Sequence, residues 1–446
     1  MASRLVPDRI PLKMLQRYHQ SVINTFGEHE TLVDAVSIRP GFFGPSPVAF
    51  LSLVARRPSI RSKDLDEAIL NDRSLIRASG FRGSLFLMST ADYPVYYRAL
   101  YPLLKNIGVQ LLSSHGISEK IMEFFAEKIK NLDSIIPLSH HEIINTLFPS
   151  PKKRPPPAVE RMLIRKLCDR GAIIRAAAKG WKGNQYSYAL FNRWLPDIVL
   201  RTDNPESARM ETIRRYLKCY GPASLEDIAW WVGLPLAQVR RTVTNLRREA
   251  LKFSVEGFRE ELFGLRETQE EIHRPQNDSD AIQLLPPWDP FLLGWQNKKR
   301  LARKEFLPYL FDSSGNATST ITYRGKAIGI WQFRDFLTNI LEFHVFEPYQ
   351  YLKKEAVRVC EQHARQLASL SGATTVDIIE KGLPPSLDKC PPGAFLWPLG
   401  KSLPNHRAAH RQVTPTAEKR QQNTFRGSYL DHQYVVGTAQ VEQSTR

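Results

Sequence analysis

Arg241, Asn245, Arg248 and Lys252 recur at i, i+4, i+7 and i+11, the spacing that lines one face of an α-helix. Leu236, Val239, Val243, Leu246 and Ala250 fall on the opposite face as an apolar stripe. Such a helix docks by one side and presents guanidinium, ammonium and amide groups on the other. Those groups meet phosphates and base edges. A solvated surface face is the plain alternative, and the helix-turn pattern preceding this stretch favours DNA contact. A second helix of the same kind buries Val159, Leu163 and Leu167 and turns Arg161 and Arg165 elsewhere. Lys182 lies in a cationic tip, Lys179 to Asn184, beside Trp181, which serves either packing or groove contact. Other chemistries find no support: there is no phosphate-binding glycine loop, dinucleotide fingerprint, HExxH pair or GxSxG elbow. His140-His141-Glu142 reads as a capped surface turn, because adjacent side chains on a helix diverge by about 100°. The four cysteines lie far apart with no CxxC pair, which excludes a disulfide framework and the common zinc spacings. No cofactor and no metal are expected.

The elements that must position these residues follow a repeated order. Ser139 with Glu142, and Ser224 with Asp227, carry the S-x-x-[DE] pattern of a capped helix start. After each come a turn, a second helix and a strand-like hairpin, the order of a winged helix. Gly233 closes the first helix of the later copy and Pro235 opens the next. The expected class is α+β, with three tandem winged-helix modules at 10–135, 138–200 and 206–266. The first is the least plain: Leu12, Leu15, His19 and Val22 suggest one helix, Leu65, Ala68 and Ile69 another, and Phe81 to Met88 a strand. His19 is expected as a core residue. Beyond a polar linker, a small β-barrel-like domain with a trailing helix is expected at 281–370. A disordered basic tail is expected at 401–446, where seven cations face three acids.

Charge and length set the class. The 446 residues allow two to four compact units, and 62 Lys+Arg against 45 Asp+Glu give +17. A surplus of that size suits a polyanion as partner. No apolar run approaches the ~18 residues of a membrane span, and the first residues, with Arg4, Asp8 and Arg9, lack the apolar core of a signal peptide. The expected setting is cytoplasmic and nucleoid-associated, as a monomer on double-stranded DNA, damaged or intact.

Several blocks carry a family resemblance. Asp64-Leu65-Asp66-Glu67-Ala68, Ser74-Leu75-Ile76-Arg77 and Phe81-Arg82-Gly83-Ser84-Leu85-Phe86-Leu87-Met88 resemble the first winged helix of AlkZ-type interstrand-crosslink DNA glycosylases. Ser84 stands for the family's threonine and Phe86 for its histidine. Arg214-Arg215-Tyr216-Leu217, Tyr220-Gly221-Pro222-Ala223 and Trp230 are similar to the third module. The most specific block, Leu284 to Gly294 with Pro286-Pro287-Trp288-Asp289-Pro290, resembles the opening of the C-terminal domain. The resemblance implies DNA binding, with Arg82 joining the expected contacts, and metal-free excision of alkylated or crosslinked purines. The family's Q-x-Q or Q-x-D motif orients the attacking water. Counted back from Ala49 to Arg56, that motif falls here on Phe42-Phe43-Gly44, and Pro40 to Val48 holds no Gln, Asp or Glu. The reading is therefore a DNA-binding protein on a glycosylase scaffold without the usual catalytic residues. One alternative is an active glycosylase using Glu30, Asp34, His19 or Asp92. Another is a module that binds proteins rather than DNA.

Overall fold

The structure is a computed structural model that describes residues 9–24, 31–45, 47–178, 185–274, 282–333, 340–371 and 377–387. Among them, one compact unit is drawn from Thr31–Pro47 and Lys63–Thr212, the other from the described parts of Met1–Glu30, Val48–Ser62 and Ile213–Thr414. The tail expected at 401–446 lies outside the described residues, as do Glu30, Trp181 and Lys182.

The first unit is built on one sheet. Its strands are β1 (Phe42–Phe43), β2 (Leu75–Ser79), β3 (Leu85–Ser89), β4 (Ile173–Ala178) and β5 (Tyr186–Leu190), in the order β1-β3-β2-β4-β5. The β2–β4 pair, through Arg77 and Arg175, joins segments far apart in sequence. The strand expected over Phe81 to Met88 is shorter. Phe81–Gly83 forms a 3-10 turn that reverses the chain between β2 and β3, with Arg82 at φ 52° and Gly83 at φ 71°.

Three helices of this unit, Glu119–Lys130, His140–Leu147 and Pro157–Asp169, pack together over Phe125, Ile143, Ile144, Leu163 and Leu167. The Ser139 cap forms: its hydroxyl accepts from Glu142 N at 3.2 Å, and the Glu142 carboxylate accepts from Ser139 N at 2.6 Å. The hairpin β4–β5 follows, and Leu138 bridges Tyr188 as a third short strand.

The second unit repeats that order. Leu225–Val232 starts at a Ser224–Asp227 capping box and ends at Gly233, φ 84°, a left-handed cap that glycine adopts without steric cost. Leu236–Asn245 comes next, then the hairpin of β6 (Ala250–Phe253) and β7 (Leu262–Leu265), with Ala223 bridging Phe263. The N-terminal helix Leu12–Asn24 belongs here. Ile10, Leu15 and Tyr18 share a core with Phe253, Val255, Leu262 and Ile272, and Ile10 bridges Val255.

The remaining strands are β8 (Gln283–Leu285), β9 (Thr320–Tyr323), β10 (Lys326–Phe333), β11 (Ile340–Val345) and β12 (Asp377–Glu380). Their order is β12-β11-β10-β9-β8, an open sheet and not the expected barrel. Closure requires the two edge strands to pair with a matching stagger. Here β8 has three residues and β12 four, and the helix Lys353–Ser371 packs against β8, β11 and β12. A helix covers the apolar surface that a closed barrel would enclose.

Candidate functional site

The stretch that the resemblance sets against the water-orienting motif, Phe42 to Gly44, begins as a buried strand. Phe42 has no exposed surface, Phe43 is buried, and the two pair with Leu87 and Phe86 of β3. Gly44 N continues the ladder, donating to Leu85 O at 2.7 Å. A Cβ on Gly44 would lie 2.7 Å from the Phe86 carbonyl carbon and 2.9 Å from Leu87 N. Those are backbone atoms of the paired strand and cannot swing away as a side-chain tip could. Position 44 therefore rejects any side chain. Gly41, at φ 108°, is held against the same strand, 2.8 Å from Leu87 O at its would-be Cβ. Buried Arg39 lies beside the slot, donating to Ala35 O at 2.7 Å with its guanidinium carbon 5.9 Å from the Phe42 ring centre. No side chain from 42 to 44 offers an oxygen or nitrogen to a water.

Of the alternative water-orienting residues, His19 and Asp34 are engaged in other bonds. His19 Nε2 donates to Gly221 O at 2.9 Å, and its ring lies 4.6 Å from that of Trp295. Burial, and then the neighbouring Arg300 charge, hold its pKa well below the usual histidine range, so the imidazole is neutral. Asp34 caps the helix Leu32–Ser37, accepting from Thr31 Oγ1 at 2.6 Å and Thr31 N at 3.0 Å, and these bonds lower its pKa. Asp92 stands at the start of Tyr93–Leu104, half-buried.

The expected DNA contacts divide sharply. Arg165 turns inward: Nη2 donates to Gly83 O at 2.5 Å and Nε lies 3.6 Å from buried Asp169. Arg161 and Arg82 are half-buried, and loss of hydration draws the Arg82 guanidinium down to about 10. Arg241 and Asn245 are exposed four residues apart on Leu236–Asn245. That helix ends sooner than the spacing suggested, at a Leu246 cap followed by Arg247 at φ 47°. Arg248 therefore lies in the following turn, exposed, and Lys252 lies on β6, its Nζ 2.5 Å from Glu261. Leu236 is 37% exposed and does not belong to the buried stripe, while Val239, Val243 and Leu246 do.

Some features escaped the sequence reading. Arg240 and Arg247 are also exposed, and the doublets Arg240-Arg241 and Arg247-Arg248 were the signal for them. Both Arg56 Nη atoms reach Asp289, each at 2.7 Å, in an ion pair with no solvent exposure. Asp289 Oδ1 also accepts from Phe291 N at 2.9 Å. The most distinctive block of the sequence is thus a structural clamp. In the same unit Arg300 lies 3.4 Å from Asp227, both almost wholly buried, and donates to Pro222 O.

Three comparisons bear on this arrangement. The model of the family described as "DNA glycosylase AlkZ-like" matches residues 43–369. The interstrand DNA cross-link repair glycosylase of Streptomyces sahachiroi is 22% identical over 345 residues, covering 74% of this chain and 88% of the relative. The solved structure of Streptomyces sahachiroi DNA glycosylase AlkZ superposes with a TM-score of 0.68 at 18% identity, over 84% of this chain and all of that one. The mixed α+β fold is shared with that structure. With the family match spanning most of its length, the chain belongs to the AlkZ-like DNA glycosylase family.

Proposed function

We propose that this protein binds double-stranded DNA in a repair setting and does not hydrolyse the glycosidic bond through the Phe42–Gly44 strand. Membership of an AlkZ-like DNA glycosylase family points to DNA repair and to DNA as the partner. The observation that carries the catalytic part is Gly44, where the would-be Cβ lies 2.7 Å from the backbone of β3. By the resemblance, that position belongs to the water-orienting motif; this chain has no room for a side chain there. Interstrand cross-links, named in the curated relative, are the lesion class against which binding is best tried.

Two segments fit the winged-helix reading: residues 119–190 and 205–265 each run helix, short bridged strand, helix, helix, hairpin. In the later one, Arg240, Arg241, Arg247 and Arg248 are exposed around the end of the helix expected to meet the groove, and Asn245 supplies an amide for a base edge. Arg161, Arg165 and Arg82 act as scaffold. Lys252, held by Glu261, is at most a weak contact.

Salt dependence tests the reading. Four phosphate contacts lower duplex affinity about a hundredfold between 50 and 200 mM salt. Affinity unchanged across that range would contradict phosphate-driven binding.

A further inference from the structure

We propose that Ser150 is a phosphorylation site for proline-directed protein kinases, and that its phosphate weakens the grip of the middle helical segment on DNA. The second half rests on the DNA-binding reading above; the first does not.

The sequence contains three Ser/Thr-Pro steps, at Ser46, Ser150 and Thr414, and only Ser150 has a cation three residues on, Lys153. A proline after the acceptor has no N–H, so it suits a kinase pocket that offers that position no acceptor. A cation at the third position adds charge recognition. Both features are accessible here. Ser150, Pro151, Lys152 and Lys153 are all exposed, and the Ser150 side chain makes no capping bond. Ser150 is already extended, at φ −89° and ψ 120°. Beyond the turn, Arg154 and Pro156 are extended as well, at ψ 135° and 154°.

A kinase cleft takes its substrate as an open strand. Within the segment between the helices His140–Leu147 and Pro157–Asp169, the turn from Ser150 to Arg154 is held by two backbone bonds, Lys153 N to Ser150 O at 3.0 Å and Arg154 N to Pro151 O at 3.3 Å. Opening them frees Pro151, Lys152 and Lys153, none of which is buried, while Phe148, two residues before Ser150, stays packed on Phe125 with ring centres 5.4 Å apart.

In the transfer, Ser150 Oγ attacks the γ-phosphorus of ATP. The bond to the β-phosphate oxygen breaks, ADP leaves, and the hydroxyl proton passes to the kinase's aspartate base. The product carries a charge of about −1.5 to −2 beside Lys152, Lys153 and Arg154. The exposed Lys152 and Lys153 offer the DNA backbone two further cations beside the four arginines of the later segment, and the phosphate pairs with both, so these two are withdrawn from outside contact. The expected result is a salt slope smaller by about 2 and affinity at 100 mM salt lower by about tenfold.

The full chain is incubated with a cyclin-dependent kinase and Mg-ATP, the phosphorylated residues are mapped by mass spectrometry, and duplex affinity is then measured. Labelling at Ser150 with the stated loss of affinity supports the inference. A Ser150→Ala chain, with an exposed loop side chain shortened by one atom, should escape labelling there and keep the unmodified affinity through kinase treatment. Absence of phosphate at Ser150 in the wild type overturns the site. Phosphate at Ser150 with unchanged affinity overturns its effect while leaving the DNA reading intact. An unmodified chain that fails to bind duplex at 50 mM salt sinks the DNA reading and the effect with it, whereas labelling, mapped before DNA is added, still decides the site.

Discussion

Gly44 and Phe42 carry more of the account than any other residues, because they decide what the strand β1 can hold. Installing glutamine at both positions would supply the residue types that the resemblance expects, without the room to hold them. The added Cβ at 44 collides with Phe86 and Leu87 backbone atoms, and overpacking of this kind costs about 1–3 kcal/mol. A Phe42→Gln/Gly44→Gln chain is expected to unfold at lower urea than wild type and to release no base from alkylated duplex; base release from that variant would show that the strand can open. The Arg56–Asp289 pair makes a second prediction. Removing one partner from a buried ion pair strands the other, at about 3–5 kcal/mol. Asp289→Ala should lower the urea midpoint accordingly, and a midpoint within error of wild type would mean the pair is not buried in solution. That no side chain from 42 to 44 is polar was plain in the sequence. The pairing of Arg56 with Asp289 was not, because 233 residues separate them and nothing local marks either as a partner.

At the scale of single elements, the capped starts at Ser139 and Ser224 and the glycine stop at Gly233 were legible because each depends on side chains within a few residues of the helix end. The end of Leu236–Asn245 was not. Its polar periodicity runs on to Lys252, while the backbone turns at Arg247 so that β6 can pair with β7. This corrected boundary sharpens the DNA reading. Replacing Arg240, Arg241, Arg247 and Arg248 by glutamine should lower the salt slope of duplex binding by about 4. Arg165→Gln, which removes an inward bond to Gly83, should lower stability and leave the slope unchanged. Equal slope losses in the two variants would contradict the division between exposed and inward cations.

The helix Lys353–Ser371 carries a pH signature. His363 is buried with its ring 5.2 Å from Trp331, and burial pushes its pKa down to about 4. The folded imidazole thus stays neutral while the unfolded one takes a proton below about 6.5. Its contribution is intact above that pH and is lost as pH falls towards 4, by up to about 3 kcal/mol. Buried His19 acts with the same sign. Urea midpoints at pH 7 and 4.5 should differ less in His363→Leu than in wild type; an equal difference would mean that His363 is hydrated in the fold.

At the scale of the whole chain, the surplus of +17 announced a polyanionic partner, and family membership agrees with it. Charge count could not say which cations face outward, since burial depends on contacts such as Arg165 with Gly83 and Asp169 that appear only once the chain is folded. Nor could it assign Leu12–Asn24 to the unit that contains β6 and β7, because that packing joins residues more than 200 positions apart. The open sheet β8–β12 escaped for a related reason: strand-like patterns look the same whether the edges close or a helix covers them.

The central claim is that this AlkZ-like chain binds DNA while its β1 strand holds no water for glycosidic hydrolysis. The most direct test is abasic-site yield from alkylated and interstrand-crosslinked duplex, measured with saturating protein under conditions where a mobility shift proves the duplex is bound. The account predicts a bound duplex with abasic sites at the level of the protein-free blank. Abasic sites accumulating above that blank with time and protein concentration would contradict it.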